Sequence, residues 1–346
     1  MKAVFLCAGA FGLAAAQQVC ADDAASSLTR AADASRTVTY QGIAVYRGGS
    51  DQFEVFKVQH RFQNGSERER IFNMTGDPVQ LLRTDDRVIW VLPKGQTVTR
   101  ERPTLKGVLS QLSSERVSQL AAWYTFVDEG SSRVADRPCN GIMVAPRDAY
   151  RFGYEVWYDK ETRTPLKISL VGPKGEILEQ LMFTEISFPQ SIPDAAFETE
   201  IDTSKFNLVT KSEQPVNLAA KPDDDSGASQ VAFGSLPPGF QVVSREHRPL
   251  PNGQPGQMEH LLLSDGLASV SVFSAIRQPS PEKTFSGISH VGSVQAYGRM
   301  VGDYHITIVG EVPSPTIRLI GDNVSPVFAP DLNGAAVAPP AVRNGP

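Results

Sequence analysis

The residues of this chain that could do chemistry are few, and none of them shows the spacing of a known catalytic motif. Gly287–Gly292 looks like a hydrolase nucleophile elbow, but its second glycine lies one residue too far for the Gly-x-Ser-x-Gly pattern. Ser289 and His290 are sequence neighbours, which point to opposite faces of a strand, so they cannot act as a catalytic pair. The five histidines lack metal-ligand spacing. The sequence therefore predicts a protein that is not an enzyme and uses no cofactor or metal.

The first 21 residues have the pattern of a secretory signal peptide. Lys2 gives a charged start, Ala3–Ala16 is apolar, and Val19–Ala21 fits a cleavage site before Asp22. A membrane anchor is the alternative, but the run is shorter than the roughly 20 apolar residues of a spanning helix. We therefore expect an exported, soluble protein that begins at Asp22.

Removal of this segment leaves Cys139 as the last of three cysteines, so the mature chain cannot form an internal disulfide. Cys139 comes just before an apolar run and has no histidine near it in sequence, which favours a buried structural thiol over a nucleophile. The formal net charge is −5, so the chain lacks the excess of positive charge that is typical of nucleic-acid-binding proteins.

What remains is a binding function, and the aromatic residues of the first half are its candidates. Aromatic side chains in a curved sheet most often pack the core, and lining a ligand cavity is the alternative reading. A helix predicted over Thr104–Leu120 favours a cavity, because a helix that plugs a curved sheet encloses space. We expect an acyl-chain cavity under this helix. Its candidate lining residues are Trp90, Trp123, Phe126 and Trp157.

The elements that must position these residues are mainly strands. In the first half, a short helix at Ala24–Ser35 precedes about ten strands, and Asn64-Gly65 is typical of a type I′ hairpin turn. After the inserted helix, the predicted strands resume at Gly141–Ala145. This pattern indicates a barrel-like or strongly curved antiparallel sheet.

The second half is a smaller β-rich unit. Strands at His260–Ser264 and Leu267–Ala275 are predicted to meet through a two-residue Asp265-Gly266 turn. A helix is predicted at Pro315–Asn323, with Ser314 as its N-cap. The fold class is therefore mainly β with an α+β second domain.

Composition divides the chain into five parts. The stretch around Lys221–Ser229 is polar, acidic and without apolar periodicity, which indicates a linker. The predicted parts are a signal peptide at 1–21, a first domain at 22–210, a linker at 211–230, a second domain at 231–326, and a disordered Ala/Pro-rich tail at 327–346.

Short motifs in both halves resemble two related families. The first half is similar to LolA-type lipoprotein carriers in Tyr154–Asp159, Pro165–Lys167, Gly175, Ile192–Asp194 and Phe197. The order of motifs across both halves resembles the MucB/RseB family. These motifs are Arg133–Cys139, Gly175–Gln180, Leu236–Phe240, Arg248–Pro251, Leu263–Gly266 and Val309–Pro313.

The resemblance implies a fold and a function. The implied fold is a half-open antiparallel β-barrel of LolA type with a helical plug, followed by a smaller α+β domain. The implied function is periplasmic regulation of a sigma-E type envelope stress response. Such proteins bind the periplasmic part of a membrane-spanning anti-sigma factor, protect it from proteolysis, and release it on sensing lipid or lipopolysaccharide.

Other functions stay open at this point. A periplasmic lipid or lipoprotein carrier is the second hypothesis, and an envelope hydrolase is the third. Self-association into a homo-oligomer is compatible with any of these functions.

Overall fold

The structure is a computed structural model that describes residues 11–49, 53–84, 87–94, 112–199, 229–250, 256–276 and 285–327. Its helices are α1 (Phe11–Thr37), α2 (Ser114–Leu120), a 3-10 turn (Asp194–Phe197) and α3 (Ser314–Asn323). The strands of the first domain are β1 (Tyr40–Arg47), β2 (Phe53–Gln63), β3 (Ser66–Asn73), β4 (Gln80–Thr84), β5 (Arg87–Val91), β6 (Tyr124–Val134), β7 (Arg137–Pro146), β8 (Gly153–Asp159), β9 (Pro165–Val171) and β10 (Ile177–Ser187).

These ten strands form one antiparallel sheet in the order β5-β4-β3-β2-β1-β10-β9-β8-β7-β6. Because β5 and β6 lie at opposite edges and do not pair, the sheet is open rather than a closed barrel. The predicted half-open antiparallel architecture is confirmed. The turn at Asn64-Gly65 is also confirmed, since both residues have positive φ, 54° and 78°, and strands β2 and β3 meet directly across it.

Strand β6 was not predicted from the sequence, and the exposure of most of its residues explains why. Tyr124, Phe126 and Val134 are buried, but every residue from 127 to 133 is exposed. An edge strand that has solvent on both faces shows no apolar alternation for a period-two search to find. A bulge between Asp128 and Gly130 disturbs the period further.

Helix α1 covers the inner face of the sheet, which we define as the face that carries Tyr124 and Phe126. Its small and apolar residues Ala24, Leu28, Ala31 and Ala32 are buried in the main core of the first domain. The predicted helix at Ala24–Ser35 is thus confirmed and proves longer at both ends.

The predicted helix Thr104–Leu120 is formed only in its last part within the described residues. Helix α2 starts at Ser114, where the Ser113 hydroxyl caps it by accepting a hydrogen bond from the backbone N–H of Arg116 at 3.2 Å. Val117 and Leu120 pack into the main core. Positions 104–111 of the predicted helix lie outside the described residues.

The second domain contains a six-stranded antiparallel sheet and a two-stranded ribbon. The sheet order is β12 (Gln241–Pro249), β13 (Gln257–Ser264), β14 (Ser269–Ile276), β17 (Tyr304–Gly310), β16 (Val294–Val301) and β15 (Gly287–Val291). The ribbon pairs β11 (Val231–Phe233) with β18 (Val324–Pro326).

Two local predictions in this domain are wrong. Ser264 pairs with Ser269, so a four-residue loop joins β13 and β14 instead of a two-residue Asp265-Gly266 turn. The Asp265 carboxylate folds this loop by accepting hydrogen bonds from two backbone N–H groups. Ser314 is the first residue of α3 rather than its cap, and its hydroxyl donates to Gln295 at 2.9 Å.

The predicted signal peptide and linker are only partly within the described chain. Residues 1–10, most of the linker and the tail beyond 327 lie outside it. Among the helices described, none has the length and apolar character needed to cross a membrane.

Candidate functional site

The structure places two of the four predicted aromatic residues against the same core. Phe126 is buried on the inner face of β6, in a cluster with Leu28 of α1 and Leu120 of α2. Trp123, which directly precedes β6, packs against the edge of this cluster. Trp123 and Phe126 therefore lie against the same core, and their role in lining a lipid cavity stays a prediction.

The other two aromatic residues lie elsewhere. Trp157 stands between Val156 and Tyr158, which both belong to the main core, so its own side chain points to the opposite face of the sheet. Trp90 pairs with Leu81 near the far edge of the sheet. The four side chains do not form one lining, and a role of any of them in lipid binding stays a prediction.

Within the described residues, α1 and α2 pack against the inner face through the main core. A cavity of about 10 Å³ lies where the end of α1 meets strands β1, β9 and β10, and its lining includes Tyr40, Ile168 and Phe183. A cavity of this size holds about one water molecule. An acyl chain that took the place of α1 or α2 in the main core would require that helix to move away from the sheet.

A buried polar junction joins the two domains, and Arg151 is at its centre. Arg151 lies in the turn between β7 and β8, and its side chain is fully buried. Its guanidinium donates to Asp148 at 3.1 Å within the same turn. It also donates to Asp265 at 2.9 Å and to the carbonyl oxygen of Pro238 at 2.5 Å, both in the second domain.

Asp265 uses its two carboxylate oxygens for different purposes. Oδ1 accepts from the backbone N–H groups of Leu267 and Ala268, at 2.9 and 2.7 Å, and so shapes the β13–β14 loop. Oδ2 accepts from Arg151 and from the Tyr124 hydroxyl at 3.1 Å. Oδ1 therefore stabilises the β13–β14 loop of the second domain, and Oδ2 binds two residues of the first domain.

Burial changes the protonation of this junction. It raises the pKa of the Tyr124 phenol well above its usual range, so the phenol keeps its proton and donates to Asp265. Burial also raises the pKa of the Asp265 carboxyl, while the charge of Arg151 opposes that rise. The ion pair is thus held in a site that penalises either charge alone.

Aromatic rings surround the Arg151 guanidinium. Its central carbon lies 5.4 Å from the Trp123 ring centroid, 5.5 Å from that of Tyr124, and 5.4 Å from that of Phe240. The Pro238-Gly239 turn sits directly on Trp123, since a Cβ atom on Gly239 would lie 2.4 Å from the indole. Gly239 also has a φ of +82°, which favours glycine.

Further contacts extend the junction in two directions. The Thr316 hydroxyl of α3 donates to the Tyr150 carbonyl at 2.6 Å. On β10, Glu179 accepts a hydrogen bond from Ser293, which lies in the turn between β15 and β16. Leu267 of the second domain is buried within the main core of the first. The two domains therefore share both polar contacts and apolar packing.

Comparison with known proteins identifies the family. The MucB/RseB N-terminal domain model matches residues 23–201, and the MucB/RseB C-terminal domain model matches residues 225–325. The chain belongs to the MucB/RseB family. It is 31% identical over 325 residues to the sigma factor AlgU regulatory protein MucB of Pseudomonas aeruginosa, covering 89% of this chain and 93% of MucB.

Other MucB/RseB proteins give a consistent picture. The sigma-E factor regulatory protein RseB of Escherichia coli is 27% identical over 271 residues, which are 78% of this chain and 81% of RseB. The crystal structure of MucB in complex with MucA(peri) matches with a TM-score of 0.70 and 26% identity, over 89% of this chain and all of that chain. A second MucA/MucB complex from P. aeruginosa matches with a TM-score of 0.69 and 27% identity, at the same coverage.

The polar junction was missed by sequence reasoning although its surroundings were noticed. The Leu236–Phe240 and Leu263–Gly266 motifs were selected only because they resemble the MucB/RseB pattern. In the structure, both supply groups that hold Arg151. The pairing of Arg151 with Asp265 spans 114 positions of sequence, and no local signal connects two charges at that distance.

Proposed function

We propose that this chain is a periplasmic regulatory protein that binds the periplasmic part of a membrane-bound anti-sigma factor. The observation that carries the proposal is the two-domain match to the MucB/RseB family, together with the similarity to MucB in its complex with MucA(peri). In this role the chain shields the anti-sigma factor from regulated proteolysis, and it acts by binding rather than by catalysis.

The junction chemistry supports a binding role. Arg151 and Asp265 are the charged groups that a catalytic interpretation would select first, because both are buried and neighbour a tyrosine. Their hydrogen bonds are directed at each other and at loops of the two domains. Their arrangement fixes one domain on the other.

We further propose that lipid acts on the inner face of the first domain. Burying an acyl chain there would gain about 0.8 kcal/mol for each methylene, enough to displace a short helix such as α2 from its packing. The small residues of α1, including Ala31 and Ala32, give that helix few large side chains to withdraw from the core. Lipid binding and helix packing would then compete for the same apolar surface.

A protease-protection assay tests the proposal. The periplasmic segment of the MucA-type anti-sigma factor from the same organism is digested by the protease that cleaves it, with and without the mature protein. The full chain should slow cleavage at least about tenfold, and added lipopolysaccharide should restore cleavage. Cleavage that the protein does not slow would refute the regulatory role.

Lipid dependence separates this proposal from the carrier hypothesis. Protection that lipopolysaccharide leaves unchanged, combined with tight binding of a fluorescent fatty acid, would favour a periplasmic lipid or lipoprotein carrier.

The cellular location is tested by the intact mass of the periplasmic protein. A chain that starts at Asp22 is expected, whereas retention of Met1–Ala21 would contradict the predicted cleavage.

A further inference from the structure

We propose that Arg151 and Asp265 form an interdomain latch, and that the latched arrangement of the two domains is the one that binds the anti-sigma factor. The inference rests on the proposed function and names the element that regulates it. Both residues of the latch act as positioning residues, since they fix the geometry of a surface formed elsewhere by the two domains.

The latch is built as an orienting device. The Arg151 guanidinium donates in three directions, to Asp148, Asp265 and the Pro238 carbonyl. These three acceptors lie on three different loops. A planar fork that donates in fixed directions sets an angle between the loops, which a single apolar contact does not do. The loop that carries Asp265 keeps its own shape through Leu267 and Ala268, so it presents a preformed acceptor.

The latch is also reversible by nature. A buried ion pair gives little net stability, because the free energy lost when both charges are removed from water is close to the free energy gained from their attraction. When the domains separate, water can solvate both charges again, so an open arrangement is accessible. A junction of this kind selects one orientation without making it permanent.

Helix α2 connects the latch to the inner face of the first domain. Leu120, the last residue of α2, is buried in the main core, and it approaches Gly266 of the β13–β14 loop. Three residues later, Trp123 contacts both Arg151 and the Pro238-Gly239 turn. A displacement of α2 from the sheet therefore moves the side chains that support the latch.

The most specific variant is Asp265→Asn. It keeps the oxygen that folds the β13–β14 loop, but it replaces the charged acceptor that faces Arg151 and Tyr124. Arg151→Gln is the second variant, and it removes the guanidinium from the other side. The matched control is Arg133→Gln, which removes an exposed arginine that pairs with Asp136 in the same domain.

Each full-length mature variant is measured in two ways. Small-angle X-ray scattering reports whether the domains stay docked, and the protease-protection assay with the anti-sigma segment reports binding. Circular dichroism confirms that each variant is folded. We expect a larger radius of gyration and at least tenfold weaker protection for Asp265→Asn and Arg151→Gln, with wild-type values for Arg133→Gln.

The outcomes separate the latch from the proposed function. If the scattering of both latch variants equals that of the wild type, the pair does not hold the domains and the proposal is wrong. If the domains open but protection is unchanged, the latched arrangement is not the binding arrangement and the proposal also fails. If the wild-type protein itself gives no protection, the proposed function fails, and the scattering curves alone decide whether the latch exists.

If Asp265→Asn does not fold, the scattering and protection results of Arg151→Gln decide the proposal, because this variant leaves the β13–β14 loop intact. Arg151→Lys then distinguishes orientation from charge. Lysine keeps the positive charge but lacks the planar fork. Protection by Arg151→Lys at the wild-type level would show that charge alone suffices and would overturn the orienting role.

Discussion

At the scale of single residues, buried charges in this protein are held by several hydrogen bonds at once. Asp159, at the end of β8, resembles Asp265 in this respect, although it acts within one domain. Its carboxylate accepts from Arg137 at 2.6 Å and from the backbone N–H and the hydroxyl of Thr162 at 2.7 and 3.0 Å. These contacts close the turn between β8 and β9.

Asp159 should make the stability of the first domain sensitive to acid. Burial by itself would raise the pKa of Asp159, but the hydrogen bonds from Arg137 and Thr162 outweigh it and hold the pKa below its ordinary value of 3.8. The native carboxyl therefore binds fewer protons than the unfolded one as the pH falls below that value. Its contribution to the free energy of unfolding is complete above roughly pH 5 and is lost on further acidification.

The measurement is a series of urea unfolding curves between pH 2 and pH 6. Asp159→Asn should lower the unfolding free energy at neutral pH by about 2 kcal/mol and flatten its fall in acid. Asp136→Asn is the control, because Asp136 is exposed and asparagine tolerates its positive φ of 61°. Equal acid dependence in the wild type and in Asp159→Asn would contradict this assignment.

At the scale of elements, the inner face of the sheet and the helices that cover it form the candidate lipid-binding layer. Phe126 lies in this layer and Trp157 lies on the opposite face. The two residues therefore make a matched pair for locating an acyl chain. Both are aromatic, both are in neighbouring parts of the same sheet, and only one meets α1 and α2.

Replacement of Phe126 by leucine should weaken fatty-acid binding at least about fivefold, since apolar contact area is lost where the chain would lie. Trp157→Leu should leave the affinity unchanged. The measurement uses a fluorescent fatty acid with the full-length mature protein. A brominated fatty acid gives a second readout, because it should quench Trp123 near the core and spare Trp157. Weaker binding in Trp157→Leu alone would place the lipid on the other face.

The elements also show how far sequence could predict this molecule. The turn at Asn64-Gly65 was predicted correctly because its conformation depends on two residues, whereas the turn predicted at Asp265-Gly266 was two residues too short. Strand β6 was missed because its edge position removes the apolar alternation. The side chain of Trp157 points away from the main core, and such facing is hard to predict because a shift of one position moves a side chain to the other face. The contacts of Arg151 depend on distant loops and could not be read locally.

At the scale of the whole molecule, the two domains behave as one folding unit if their junction is strong. Leu267 is buried in the core of the first domain, and Arg151 pairs with Asp265 across the junction. The stretch predicted as a linker, 211–230, is acidic and polar in sequence. Association of the domains should therefore depend on the junction and not on the covalent connection.

This dependence can be tested by cutting the connection. A protease site inserted between Asp225 and Ser226 allows the full-length protein to be folded first and cleaved afterwards. The two fragments should co-elute in size-exclusion chromatography at roughly 10 μM, because the shared core and the latch hold them together. Cleaved Asp265→Asn should separate into two peaks, since its junction lacks the ion pair while its loop remains folded. Separation of the cleaved wild-type protein would show that the linker holds the domains together, and co-elution of both proteins would show that apolar packing around Leu267 is sufficient without the latch.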